Sequence, residues 1–163
     1  MTSPDPATYE ALRASPLANE LTPEQTAVVA RLVSLESVHP KHVLGREGTT
    51  DNHLVVVVEG SLGVVKHLGK PNETLIAILN IGDFAHELGF LDGAERHASL
   101  VAATEARVLI LEREKLESLI DTHPQILYRL MCAIVRTVHR VQTRLSMQAS
   151  ELTNYIVKQH GRY

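Results

Sequence analysis

Gly82-Asp83-Phe84-Ala85-His86-Glu87-Leu88-Gly89-Phe90-Leu91-Asp92-Gly93-Ala94-Glu95-Arg96-His97-Ala98 places a turn, a carboxylate, a loop and an arginine between two strand-like segments. Each part has a chemistry. A glycine-bearing turn with free backbone N–H groups cradles an anion. An arginine grips a phosphate through two parallel charge-assisted hydrogen bonds. A carboxylate accepts from a sugar hydroxyl.

On both sides of this stretch, residues 37–112 read as short strands. His53–Glu59 is β-branched and ends at Gly60-Ser61. Leu62, Val64 and Val65 open a second strand, and Gly69-Lys70-Pro71-Asn72 turns into Leu75–Leu79. His97–Ala103 and Arg107–Leu111 complete the set. Short strands at this spacing, punctuated by glycine, predict a β barrel or roll, not alternating β-α-β units. Helices flank it. Thr22-Pro23-Glu24-Gln25 is a capping box with proline at the first helical position, and Val28, Val29, Leu32 and Val33 continue at helical spacing, predicting a helix over 22–35. Residues 1–20 carry three prolines and read as a loose arm with one helical turn at Tyr9–Arg13. A short helix is predicted over Glu114–Asp121 and a long one from Pro124 to about residue 150.

The long helix has two informative faces. Leu130, Ile134, Val138, Val141, Leu145, Gln148 and Leu152 form a heptad-like stripe, wide at its start and a narrow seam past Val138. Such a seam fits a parallel dimer better than a helix folded back on its own domain. Arg129, Arg136, Arg140 and Arg144 share another stripe. It fits a solvated face, an acidic partner or nucleic acid.

The chain has 163 residues, enough for one domain. It is 44% hydrophobic, which rules against global disorder, and its formal net charge of -3 gives no footprint for tight nucleic-acid binding. A single cysteine, Cys132, forms neither an internal disulfide nor a multi-cysteine zinc site, and its apolar helical setting predicts a buried thiol. The longest purely apolar run, Leu54–Val58, is far too short to span a membrane, and no signal peptide is visible at residues 1–6. A soluble, cytoplasmic protein is the expectation.

The segment Gly82–Ala98 resembles the phosphate-binding cassette of cyclic-nucleotide-binding domains, as found in catabolite activator proteins, protein kinase A regulatory subunits and cyclic-nucleotide-gated channels. Leu21-Thr22-Pro23-Glu24, Arg46-Glu47-Gly48, Val58-Glu59-Gly60-Ser61-Leu62, Gly82-Asp83-Phe84, Glu87-Leu88 and His123-Pro124 follow the order and spacing of the same family. The resemblance covers about residues 21–145. It implies a mainly β fold with flanking helices: a double-stranded β-helix, or jelly-roll-like β-roll, with an N-terminal helix and a long C-terminal helix. Residues 1–20 would be an arm and 146–163 the helix tail.

The resemblance also implies a site. Glu87 matches the glutamate that bonds the ribose 2′-hydroxyl, and Arg96 the arginine that pairs with the cyclic phosphate. Leu88 and Ala98 match positions lining the same pocket. The base would lie under the C-terminal helix about where Val141, Gln142 and Thr143 fall, with Gln142 and Thr143 able to bond a purine edge. Two positions depart from the pattern. His86 stands where the family has glycine, and His97 where it has serine, threonine or alanine. Each histidine either crowds the pocket or adds a donor toward the phosphate. Arg96 alone is also compatible with a structural salt bridge to Glu87 or Asp92.

The expected function is that of a regulatory domain that binds a cyclic nucleotide, cAMP or cGMP with cAMP preferred. It would need no cofactor and would signal to an unidentified protein partner through a C-terminal helix that also makes a homodimer. Two rivals stand beside it: a ligand-free dimerisation or scaffolding module with a degenerate pocket, and a haem or metal sensor on the same fold. Nine histidines invite the last, but His39, His42, His53 and His67 form no i, i+4 pair on a helix. After residue 145 there is no room for a helix-turn-helix, so sequence-specific DNA binding is not expected. No catalytic constellation is apparent: Ser61, Ser99 and Ser118 lack a histidine–carboxylate partner pattern, and there is no phosphate loop.

Overall fold

The computed structural model describes residues 2–160, with the side chains of Glu87, Leu88, Leu145 and His160 outside that description. Asp5 accepts from the Thr8 amide at 2.9 Å and so caps a full helix, α1 (Pro6–Ala14), where the sequence predicted a single turn in a loose arm. Its Leu12, and Leu17 in the following 3-10 turn (Pro16–Ala18), are wholly buried. The capping box at Thr22 and Gln25 is present, with reciprocal bonds of 3.2 and 3.1 Å, and starts α2 (Pro23–Ala30).

That helix ends earlier than its periodicity predicted. Val33–Val38 forms strand β1 instead and pairs antiparallel along its whole length with β8 (Ala106–Glu112). The apolar spacing of residues 28–33 suits a helix and a strand equally over so short a run, and the sheet partner decides it. Between them lie β2 (Val43–Gly45), β3 (His53–Glu59), β4 (Leu62–Lys66), β5 (Thr74–Leu79), β6 (Phe84–Ala85) and β7 (Ser99–Ala102). All pairings are antiparallel, in two four-stranded sheets ordered β1-β8-β3-β6 and β2-β7-β4-β5. With the flanking helices this is the β-roll the sequence predicted.

The central strands serve two cores. In β3, Leu54 and Val56 pack with Leu12, Leu17, Val29 and the later helices, while Val55 and Val57 pack with Leu62, Leu100 and Ala102 of the other sheet. In β8, Leu109 and Leu111 join the first cluster, and Ala106 and Val108 the second. Side chains alternate across a strand, so a strand buried on both faces shows an unbroken apolar run, as Leu54–Val58 does.

After β6 comes a six-residue helix, α3 (Glu87–Asp92). After β8 the predicted single helix is two, α4 (Arg113–Glu117) and α5 (Leu119–Thr122). The last element, α6 (Pro124–His160), is 37 residues and so about 55 Å long. Its Ile126, Leu130, Ala133 and Ile134 are buried against the roll, whereas every described side chain beyond Val141 is exposed. Arg129 donates to the Glu20 carbonyl at 2.9 Å, and Arg136 pairs with the Glu20 carboxylate, so half of the arginine stripe fastens α6 to the N-terminal segment. Among the described residues no helix is long and apolar enough to cross a membrane.

Candidate functional site

A cavity of about 260 Å³ opens between the roll and the first exposed part of α6. That is just below the roughly 300–1,000 Å³ usual for small-molecule sites. Val64 of β4 and Ala77, Ile78 and Leu79 of β5 form one wall, and residues 83–86 and 96–100 form the other. Val141 and Arg144 of α6 close it.

Arg96 dominates the polar wall. Its side chain is only 4% exposed, and it points at Asp51 in the loop before β3. Nε donates to Asp51 Oδ2 at 2.6 Å and one Nη to Oδ1 at 2.8 Å, the parallel two-bond geometry of a guanidinium on a carboxylate. The backbone holds the same loop. The Arg96 amide donates to the Thr49 carbonyl at 2.9 Å, and the Gly48 amide donates to the Arg96 carbonyl at 2.7 Å. Gly45 makes room, since a Cβ there would lie 2.5 Å from Arg96 Nε. Arg96 thus pairs with Asp51, a loop residue with no distinguishing sequence pattern; of the two partners the sequence offered for a structural salt bridge, Glu87 or Asp92, the Glu87 side chain lies outside the described residues. Burial opposes ionisation of Asp51 most strongly, but the bonds and charge of Arg96, with His86 and His53 adding to them, hold its carboxyl below the usual carboxylate range.

His86 takes the left-handed conformation, φ 64° and ψ 26°, immediately before α3. A glycine would accept that geometry freely; histidine adopts it at a cost of about 1–2 kcal/mol. The ring folds back onto the first turn of α3, where a Cβ on Gly89 would lie 2.2 Å from it. Nε2 donates to the Asp51 carbonyl at 3.1 Å; a carbonyl only accepts, so this nitrogen carries the proton. The imidazole, 7% exposed, is thus bound to the Asp51 loop. Burial, and then the nearby Arg96 charge, push its pKa below the usual histidine value.

Of the residues singled out in the sequence, His86, Arg96, His97 and Ala98 share this cavity. Glu87 and Leu88 begin α3, but their side chains lie outside the described residues. Gln142 and Thr143 are exposed and do not line the cavity; Thr143 borders an outer groove with Arg140 and Met147. Residues three apart share a helix face, which is why Val141 and Arg144 close the cavity together while the two positions between them point elsewhere. Sequence reasoning also missed Arg113. It donates to the Phe90 carbonyl at 2.7 Å and the Gly89 carbonyl at 3.3 Å, and so ties α3 to α4. Among the described residues no group of three or more His, Cys, Asp or Glu side chains is placed to hold a metal ion.

The profile of the family described as cyclic nucleotide-binding domain matches residues 35–123. Over 125 residues the chain is 26% identical to the CRP-like cAMP-activated global transcriptional regulator of Mycobacterium tuberculosis, covering 76% of this chain and 56% of the relative. Over 97 residues it is 35% identical to the cAMP-activated global transcriptional regulator CRP of Escherichia coli, covering 59% of this chain and 46% of that one. The chain therefore spans about half the length of these curated relatives. A cyclic nucleotide-binding domain from Methylobacillus flagellatus superposes with a TM-score of 0.78 at 18% identity, over 90% of this chain and 84% of that one, a likeness of fold. The N-terminal domain of a transcriptional regulator from Streptomyces coelicolor superposes with a TM-score of 0.67 at 26% identity, over 80% of this chain and 94% of that one.

Proposed function

We propose, from the premise that this chain belongs to the cyclic nucleotide-binding domain family, that the cavity beneath α6 binds a cyclic nucleotide, cAMP first, and acts by binding and not by catalysis. The observation that carries the reading is the buried Arg96 on the cavity wall, already held in a fixed orientation by Asp51. A guanidinium has five N–H donors, and among the described residues two go to Asp51. The pair also spares a ligand the cost of ordering a long side chain. The transcriptional regulators of similar sequence are named as cAMP-activated, which favours cAMP over cGMP.

Glu87 would accept from the ribose 2′-hydroxyl, as the resemblance implies, with Leu88, His97 and Ala98 around the phosphate. Occupancy would favour one setting of α6 over another through differential contact with the two states. The exposed seam of that helix, Gln148 and Leu152 included, would carry the output to a second copy or to another protein. Titration calorimetry with cAMP and cGMP tests this. Binding by the intact chain, weakened about a hundredfold in Arg96→Ala, supports it. No heat with either nucleotide at millimolar concentration rejects it. That result would favour a ligand-free module, in which Arg96 serves only as the partner of Asp51.

A further inference from the structure

We propose that Arg144 of α6 is the second phosphate-binding cation of the cavity, so that the charge of the ligand is what fastens the long helix to the roll. The inference rests on the reading of the cavity as a cyclic-nucleotide site.

Charge bookkeeping on the cavity wall points to this residue. Arg96 is compensated by Asp51 through two short bonds. Asp83, also on the wall, accepts from the Asn80 amide at 2.8 Å. His86 is turned away to the Asp51 carbonyl, to which its Nε2 donates at 3.1 Å. Arg144 has no ion pair and no side-chain hydrogen bond among the described residues, unlike Arg129 and Arg136 earlier on the same helix. It lines the cavity all the same. A cyclic phosphate brings one negative charge into this space, and among the described residues Arg144 is the arginine of the lining without a carboxylate partner.

Position agrees. Arg144 and Arg96 line the same cavity of about 260 Å³. Val141 is the last described residue of α6 that is partly buried, and Arg144, itself exposed, sits one turn beyond it, where the helix leaves the roll. Charge-assisted bonds from Arg144 to the ligand would extend the attachment of α6 by that turn. Arg140, one turn earlier, shares the outer groove with Arg144 but does not line the cavity, and so serves as a charge-matched control.

The experiment uses the intact chain with cAMP and with adenosine, which lacks the phosphate. Arg144→Gln is expected to weaken cAMP binding about tenfold or more, with adenosine binding unchanged and Arg140→Gln like wild type. Amide hydrogen exchange across residues 141–155 is expected to slow on adding cAMP to wild type and not to Arg144→Gln. If Arg144→Gln binds cAMP as tightly as Arg140→Gln, or loses adenosine equally, the assignment is overturned. If wild type itself binds no cyclic nucleotide, the reading of the cavity falls first and this inference with it.

Discussion

Asp51 and Arg96 lie 45 positions apart in the chain and meet through two hydrogen bonds of 2.6 and 2.8 Å. The pair joins the loop before β3 to the segment that opens β7, and its arginine end is almost wholly withdrawn from water. A buried cation without its counter-charge is costly, so the carboxylate is a structural requirement as well as a positioning group.

Asp51→Asn should therefore destabilise the fold by about 2 kcal/mol, read from the urea midpoint. The effect is pH-dependent in a definite direction. The carboxyl titrates below its ordinary value in the fold, so its contribution is fully present above the unfolded carboxyl pKa of roughly 3.9 and is lost as pH falls through the folded value. Wild type and Asp51→Asn should converge in stability on acidification; a gap that stays constant down to strong acid would contradict the pairing.

His86 produces a separate pH window. Its pKa is lowered in the fold, so the folded state prefers the neutral ring. Stability is complete above the unfolded histidine pKa of about 6.5 and declines as pH falls toward the folded value. His86→Gly should abolish that decline while relieving the left-handed strain of about 1 kcal/mol. Gly89→Ala should also flatten the decline but at a cost in stability, because the added methyl would collide with the ring at 2.2 Å and force it out of its buried seat. Thermal melts at pH 7.5 and 5.5 separate the three proteins.

The N-terminal segment and the tail of α6 should differ sharply in sensitivity. Leu17 is 0% exposed in the cluster shared by the helices and the first sheet, so Leu17→Ala should cost about 2–5 kcal/mol. Leu152 is 62% exposed, so Leu152→Ala should change the stability of a single chain by less than about 0.5 kcal/mol. Sedimentation of the same Leu152 variant reports whether the exposed seam joins two copies: loss of a dimer present in wild type supports that role.

Much of the fold was legible because its elements carry local patterns. The β-branched run at His53–Glu59, the capping box at Thr22 and the long period of α6 each specify an element without tertiary help. Helix α1 was legible only as one turn at Tyr9–Arg13, because Pro4, Pro6 and Pro16 read as a loose arm; in the fold Asp5 and Pro6 are its cap and first residue. Strand β1 was hidden because its identity depends on β8, 68 or more positions away. The site divides in the same way. Arg96, His86, His97 and Ala98 lie in one continuous stretch and could be read from it. Asp51, Arg113 and Arg144 could not, since their contacts exist only after the β2–β3 loop, α4 and α6 have been brought to the cassette. For Gln142 and Thr143 the helix was foreseen but its rotation was not, and rotation decides which residue faces inward.

Strands β3 and β8 carry one core on each face, with successive residues belonging to different clusters. Neither layer can therefore melt alone: withdrawing the helices would strip Leu54, Val56, Leu109 and Leu111 on the same strands whose opposite faces hold the sandwich shut. The domain is built to lose its structure cooperatively, as one unit, with the distal turns of the last helix as the part free to fray independently.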